Sequence, residues 1–198
     1  MKLLIATFNQ GKLEDYQSFC RNWGLVAVNL KDVGITEEFE ETHDTFEANA
    51  KAKAEFYGRL SGLPTLADDS GIEIPFYNME PGVKTKRWAG PGIQGKDYFN
   101  FIVEKIKAIP QKQRRGQMRA VLALYINGQA QLAEGKIIGT FTDQVYTASF
   151  TPDYPWDSLF ILDANGKYYE ALTPEENLEY NHRRVAFEQF KPLLIHEN

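Results

Sequence analysis

Residues 3–30, LLIATFNQGKLEDYQSFCRNWGLVAVNL, decide the fold class. Leu3-Leu4-Ile5-Ala6 is an apolar run of strand length, with no polar face to turn toward water. Leu13, Tyr16, Phe19, Cys20 and Trp23 then recur at helical spacing, and Gly24 stands where that helix must stop. Leu25 to Leu30 reads as a second strand. Strand, helix and strand in immediate succession predict parallel pairing, because a parallel pair needs a crossover and the helix supplies it.

The rest of the chain extends the pattern. A second helix is expected from Asp44 or Thr45, with Asp44 and Glu47 at capping-box spacing and an apolar stripe of Phe46, Ala50, Ala54 and Tyr57. Gly58 and Gly62 bracket its end. Leu63 to Ala67 reads as a buried strand leading into a tight turn, and Ile72-Glu73-Ile74 alternates like another strand. Residues 81–96 hold four glycines and two prolines, which predicts a long functional loop. Asp97 is expected to cap a helix reaching about Ala108. Asn127-Gly128 is a hairpin turn between strands at 120–126 and 131–141. Further strands are expected at Leu159–Leu162 and Tyr168–Leu172, then a helix opened by Thr173-Pro174-Glu175-Glu176 and a last one carrying Val185, Ala186, Phe190 and Leu193. With no repeat or linker, residues 1–198 read as one domain of mixed α/β class.

Composition narrows the function. A net charge of -5 leaves no electrostatic footprint for gripping a nucleic-acid backbone, so no nucleic-acid partner is expected. Cys20 is the only cysteine, which excludes an intrachain disulfide and a zinc-finger site. The apolar run at the start is too short for a signal segment and no stretch approaches a membrane span. A cytoplasmic protein without a membrane partner is expected.

Chemistry concentrates in a few segments. In Ala67-Asp68-Asp69-Ser70-Gly71 two adjacent carboxylates follow a buried strand, where they repel one another unless a cation neutralises them. Without a His/Cys cluster, a hard oxygen-seeking ion such as Mg2+ fits; a solvated Asx-type turn is the other reading. Thr7-Phe8-Asn9-Gln10-Gly11-Lys12 runs straight into a helix, whose unpaired N–H groups would be joined by Thr7, Asn9 and Lys12 around a phosphate. A capped helix with one exposed lysine explains the same residues. Thr45, Asn49 and Lys53 fall at i, i+4 and i+8 and make one polar stripe. Upstream, Glu41 ends an acidic run; folded toward Asp68 and Asp69 it would complete a three-carboxylate site for Mg2+ and a phosphate chain. Tyr154-Pro155-Trp156-Asp157 suits stacking on a base and bonding its edge, or simply packing. His182 and Arg183 form a basic cluster that can donate to a purine carbonyl or clamp phosphate, although a lone histidine is more often structural.

Taken in order, these segments resemble the inosine triphosphate pyrophosphatase family, which hydrolyses noncanonical purine nucleoside triphosphates to monophosphate and pyrophosphate. The matching pieces are Thr7–Lys12, Thr45–Ala50 with Lys53-Ala54, Ala67–Gly71, Pro81-Gly82-Val83, Arg87-Trp88-Ala89-Gly90, Arg119-Ala120, Glu134-Gly135, Trp156-Asp157 and His182-Arg183. They span nearly the whole chain. The resemblance implies an elongated mixed sheet with flanking helices, two lobes around a central nucleotide-binding cleft, Mg2+ dependence and a homodimer. It makes Lys12 and Lys53 triphosphate binders; Thr7, Asn9, Asn49, Ser70 and Arg87 are further candidate substrate contacts. Glu41, Asp68 and Asp69 become the metal and general-base carboxylates, with Asp69 activating the water. Tyr154, Trp156, Asp157, His182 and Arg183 become the base pocket, and Asn177 is a further candidate substrate contact where the family has a lysine. Three departures stand out: Ala48 replaces a glutamate, the loop 153–158 loses its glycines, and Asn177 replaces a nucleotide-contacting lysine. They leave two alternatives to ITP-like hydrolysis: a nucleotide-binding protein with weak or no turnover, or a pyrophosphohydrolase for a different base.

Overall fold

A computed structural model of the chain describes residues 1–148 and 154–195. Its strands, β1 (Lys2–Ile5), β2 (Val26–Asn29), β3 (Thr65–Ile74), β4 (Glu80–Gly82), β5 (Arg115–Ile126), β6 (Gln129–Phe141) and β7 (Phe160–Leu162), form one mixed sheet in the order β2-β1-β3-β5-β6-β7, with β4 on β3. The chain divides into two compact units, and β3, β5 and β6 each contribute residues to both.

The first unit comprises Met1–Ser70, Ala120–Lys136 and the chain from His182 onward. Here β1 (Lys2–Ile5) pairs in parallel with β2 (Val26–Asn29), Leu3 opposite Ala27, and with β3 (Thr65–Ile74), Ile5 opposite Leu66. The crossover between β1 and β2 is α1 (Gln10–Asn22), so the β-α-β opening folds as its periodicity predicts. Asn9 caps α1 by accepting from the Lys12 N–H at 3.0 Å, which satisfies one of the helix's orphan donors. Tyr16, Phe19 and Cys20 are buried beneath it. Phe187, from α5 (His182–Phe187), packs against this face, stacked on Trp23 at 4.4 Å and tilted against Tyr16 and Phe19. Burial pushes the Cys20 thiol up to about 12, so it stays a protonated core residue.

The second helix, α2 (Phe46–Ser61), is capped by Thr45 rather than Asp44: the Thr45 hydroxyl accepts from the Ala48 N–H at 3.2 Å. Gly62 ends it in the left-handed region. Gly58 does not mark the end but lies inside α2, where a Cβ would stand 2.2 Å from the Tyr125 ring. The hairpin of β5 (Arg115–Ile126) and β6 (Gln129–Phe141) turns on Asn127 and Gly128, both at positive φ, as a type I′ turn requires.

The second unit comprises Gly71–Arg119 and Ile137–Asn181. Its core joins Ile72 and Ile74 of β3 to Ile102 and Ile106 of α3 (Gly95–Lys107), with Phe141, Trp156, Leu159 and Phe160. The 81–96 loop is shortened by β4 (Glu80–Gly82), antiparallel to β3, and by a 3-10 turn at Thr85–Arg87. Asp97 lies in the first turn of α3 instead of capping it, since Gln94 is the N-cap. β7 (Phe160–Leu162) runs antiparallel to β6. The strand expected at Tyr168–Leu172 is instead a 3-10 turn, Tyr169–Ala171, with a single bridge from Tyr168 to Ile161; one tight turn suffices to bury Tyr169. α4 (Pro174–Tyr180) opens with the expected capping box of Thr173 and Glu176.

Beyond Phe187, a 3-10 turn leads into α6 (Lys191–Leu194) of the first unit. The expected last helix is thus broken into short pieces: Ala186, Phe190 and Leu194 are buried, while Val185 faces out.

Candidate active site

The turn expected after Asp69 does not form. β3 runs unbroken from Thr65 through Asp68, Asp69, Ser70 and Gly71 to Ile74, because Ile72 to Ile74 find partners on β4. Successive residues of a strand face opposite sides of the sheet, so the two aspartates have different neighbours. This also holds the two charges apart. Neither carboxyl's proton affinity is set by the other.

Asp68 meets α1 and α5. Its Oδ1 accepts from Lys12 Nζ at 2.8 Å, and its Oδ2 from the Tyr16 hydroxyl at 2.6 Å and Arg183 Nε at 3.1 Å. The Asp68 carbonyl accepts from Lys53 Nζ at 2.8 Å. One residue thereby gathers three cations. Burial pushes the Asp68 carboxyl up, but the charges of Lys12 and Arg183 and the bonds from Lys12 and Tyr16 outweigh it and hold the group well below the usual carboxylate range. Burial is also what draws Lys12 down, against the pull of Asp68.

Asp69 meets α2. Its Oδ2 accepts from Asn49 Nδ2 at 2.9 Å. Asn49 is buried and is itself pinned by two backbone bonds, donating to the His43 carbonyl at 3.1 Å and accepting from the His43 N–H at 3.0 Å. Burial first, then the nearby charge of Glu41, raises Asp69 to about 6, while Asn49, Lys12 and Lys53 work against that rise. Glu41 is ion-paired with Lys53. The polar stripe of α2 therefore has three separate tasks: Thr45 caps, Asn49 orients Asp69, and Lys53 ties Glu41 to the strand.

Arg183 reaches Asp15 Oδ2 at 3.3 Å and Ser70 Oγ at 3.4 Å. Its helix lies close against β6 because Gly135 has no side chain: a Cβ there would stand 2.1 Å from the His182 carbonyl. His182 is buried, and burial together with the Arg183 charge lowers its proton affinity far enough to keep the imidazole neutral. Thr7 accepts from the Asn9 N–H at 3.1 Å, next to the start of α1.

The first unit thus brings together Thr7, Asn9, Lys12, Glu41, Asn49, Lys53, Asp68, Asp69, Ser70, His182 and Arg183. Sequence reading missed Asp15 and assigned Tyr16 to the apolar stripe; both lie one turn beyond Lys12 on α1, a spacing that could have pointed to them. The expected three-carboxylate cluster is divided. Among the described residues no group of three or more His, Cys, Asp or Glu converges as a metal site.

The remaining expected residues lie in the second unit. Trp156 is a core side chain, its Nε1 donating to the Tyr98 hydroxyl at 3.3 Å and its ring stacked 6.1 Å from Trp88. Tyr154 and Asp157 are half-buried beside it in the chain, with the Asp157 N–H donating to the Tyr154 carbonyl at 3.1 Å. Asn177 accepts from Asn181 Nδ2 at 3.0 Å. Arg87 is exposed at the end of its 3-10 turn. Asp153, the first residue of the altered loop, lies outside the described residues. Among the described residues no helix is long and apolar enough to cross a membrane.

Known proteins resemble this chain over almost its whole length. A dITP/XTP pyrophosphatase of a Thermoanaerobacter species is 30% identical over 195 residues, covering 98% of this chain and 97% of the relative. The Bacillus subtilis dITP/XTP pyrophosphatase is 31% identical over 192 residues, covering 96% of each chain. The solved structure of a Ham1 protein from Coxiella burnetii superposes with a TM-score of 0.84 at 26% identity, covering 98% of both chains. A sequence profile of the Ham1 family matches residues 3–193, and the chain belongs to that family.

Proposed function

We infer that this protein is a nucleoside triphosphate pyrophosphohydrolase that cleaves noncanonical purine nucleotides of the dITP and XTP type to monophosphate and pyrophosphate. Its full-length similarity to dITP/XTP pyrophosphatases supports the reaction. The observation that carries it to the residues is the gathering of Lys12, Lys53 and Arg183 around Asp68, next in the chain to a carboxylate of raised proton affinity. Lys12, Lys53 and Arg183 hold the phosphate chain and offset charge building on the pyrophosphate leaving group. Asp69, oriented by Asn49, accepts the proton of the attacking water. A value of about 6 suits that task, since the group is ionised at neutral pH yet basic enough to take a proton.

The donor chemistry fits a divalent cation. Glu41 and Asp69 are two hard oxygen donors whose charges already strain against each other, and Mg2+ commonly binds through one or two carboxylates plus substrate phosphates. Glu41 would hold the ion together with substrate phosphates, with the charge of Asp69 close by, and the ion would neutralise phosphate oxygens and polarise the scissile phosphorus centre. Asp68, with both oxygens engaged by protein donors, serves instead as counter-ion to the lysines. Tyr154, Asp157 and Asn177 are assigned to base recognition on the family resemblance, while Trp156 packs in the core, and Thr7, Ser70 and Arg87 are taken as further phosphate contacts. On the same ground the chain works as one functional unit, in a cytoplasmic homodimer.

A panel of ITP, dITP, XTP, ATP and GTP, assayed for pyrophosphate against orthophosphate, tests the reading. Pyrophosphate from ITP, dITP and XTP well above that from ATP and GTP is expected. Orthophosphate release, or equal rates for all five, would overturn it.

The cation has its own test. Asp69's folded value lies above its ordinary 3.8, so its contribution to stability is full below 3.8 and is lost as pH rises through about 6. Above pH 6 the ionised group is a liability that a cation relieves; at pH 5 a proton occupies it instead. In EDTA-stripped protein, Mg2+ at 100 times its dissociation constant should therefore add about 2.7 kcal/mol at pH 8. At pH 5 it should add far less. Equal stabilisation at both pH values would show that the charge of Asp69 does not help to hold the ion.

A further inference from the structure

Tyr16 is 1% exposed, with its ring edge-on to Phe19 at 5.8 Å and tilted against Phe187 at 6.1 Å. A phenylalanine would fill that slot as well, so packing alone does not call for the hydroxyl. The hydroxyl also costs desolvation unless it is paired. Its partner is Asp68 Oδ2, at 2.6 Å. Lys12 and Tyr16 stand at i and i+4 on α1 and hold the two oxygens of one carboxylate, Lys12 on Oδ1 and Tyr16 on Oδ2, where Arg183 Nε also donates at 3.1 Å.

We propose that Tyr16 is a positioning residue for the phosphate-binding cations: its hydroxyl fixes the rotation of the Asp68 carboxylate, and through it the place of the Lys12 ammonium. A neutral donor suits this role. It holds one oxygen in place without adding charge, so the neutralisation of Asp68 is left to the groups that also face the substrate. The ring, wedged between Phe19 and Phe187, gives the hydroxyl a fixed anchor. Lys12 carries three donors, so an ammonium held at a fixed point by Asp68 Oδ1 can still bond phosphate oxygens. Without Tyr16, Oδ2 keeps only the longer bond from Arg183 Nε, so the carboxylate is held less firmly and Lys12 with it.

The inference rests on the phosphate-site reading above, and inorganic tripolyphosphate, titrated calorimetrically into the full chain, separates the two. If wild-type protein fails to bind tripolyphosphate, the phosphate site itself is wrong and the proposal falls with it. If it binds, Tyr16→Phe is expected to weaken binding about tenfold, the loss of one hydrogen bond to a charged group, and to lower kcat/KM for ITP by at least as much, since Lys12 serves the transition state as well as the bound substrate. In a Lys12→Ala background the same substitution should change tripolyphosphate affinity by less than about twofold, because its route of action is gone. A purely structural tyrosine would lower the melting temperature and leave affinity and coupling unmoved. Unchanged affinity in Tyr16→Phe, or the same loss in both backgrounds, would overturn the proposal. Tyr16→Leu, also without a hydroxyl, is read the same way should Tyr16→Phe fold poorly.

Discussion

Asp69→Asn is expected to lower turnover by about 10²–10⁴-fold, the usual worth of a general base, while the metal-free protein becomes more stable above pH 6. Both effects follow from the same environment. Burial and Glu41 make ionised Asp69 costly, and asparagine keeps the shape while removing the charge. The Asn49 contact adapts with little loss, because the amide oxygen of the new side chain can accept the bond that Asp69 Oδ2 now takes. Pyrophosphate release under saturating substrate, beside melting curves at pH 5 and pH 8, reads both. Near-normal turnover would place the base elsewhere. Lost turnover with lower stability at pH 8 would mean that Asp69 is held ionised by partners beyond those described.

Asp68→Ala is expected to do the opposite to stability, costing about 3–5 kcal/mol, because it strips the counter-ion from Lys12 and Arg183 and leaves them poorly compensated in a buried setting. The sign with pH is also opposite. The Asp68 value lies below its ordinary one, so its stabilisation is present above that ordinary value and is lost as pH falls through the native one. In chemical denaturation the difference between wild type and Asp68→Ala should therefore be full at pH 7 and shrink on strong acidification. A loss below about 1 kcal/mol at pH 7 would show that the three cations do not depend on Asp68. Two neighbouring aspartates, with opposite effects on stability when neutralised, are a direct consequence of strand alternation.

How much of this was legible in the chain differs from element to element. The β-α-β opening was written in the spacing of Leu3 to Leu30, since apolar periodicities of two kinds in that order admit few packings. The Asn127-Gly128 hairpin and the Thr173 capping box were equally local, because each depends on residues within four positions. The residues that gather around Asp68 and Asp69 were legible too, as ordered motifs. Their division of labour was not. Whether Ser70-Gly71 turns or continues depends on β4, a strand separated from it by a 3-10 turn, and no local propensity reports that partner.

Continuation of β3 is what sends Asp68 toward α1 and α5 and Asp69 toward α2. The sequence determined that two carboxylates, two lysines and an arginine would be present, and in which segments. Only the tertiary structure decided which carboxylate is saturated by cations and which is left basic. That choice is made by burial and by charges far apart in the chain, such as Arg183 on Asp68 and Glu41 on Asp69, and these long-range terms set proton affinity more strongly than any neighbour in sequence.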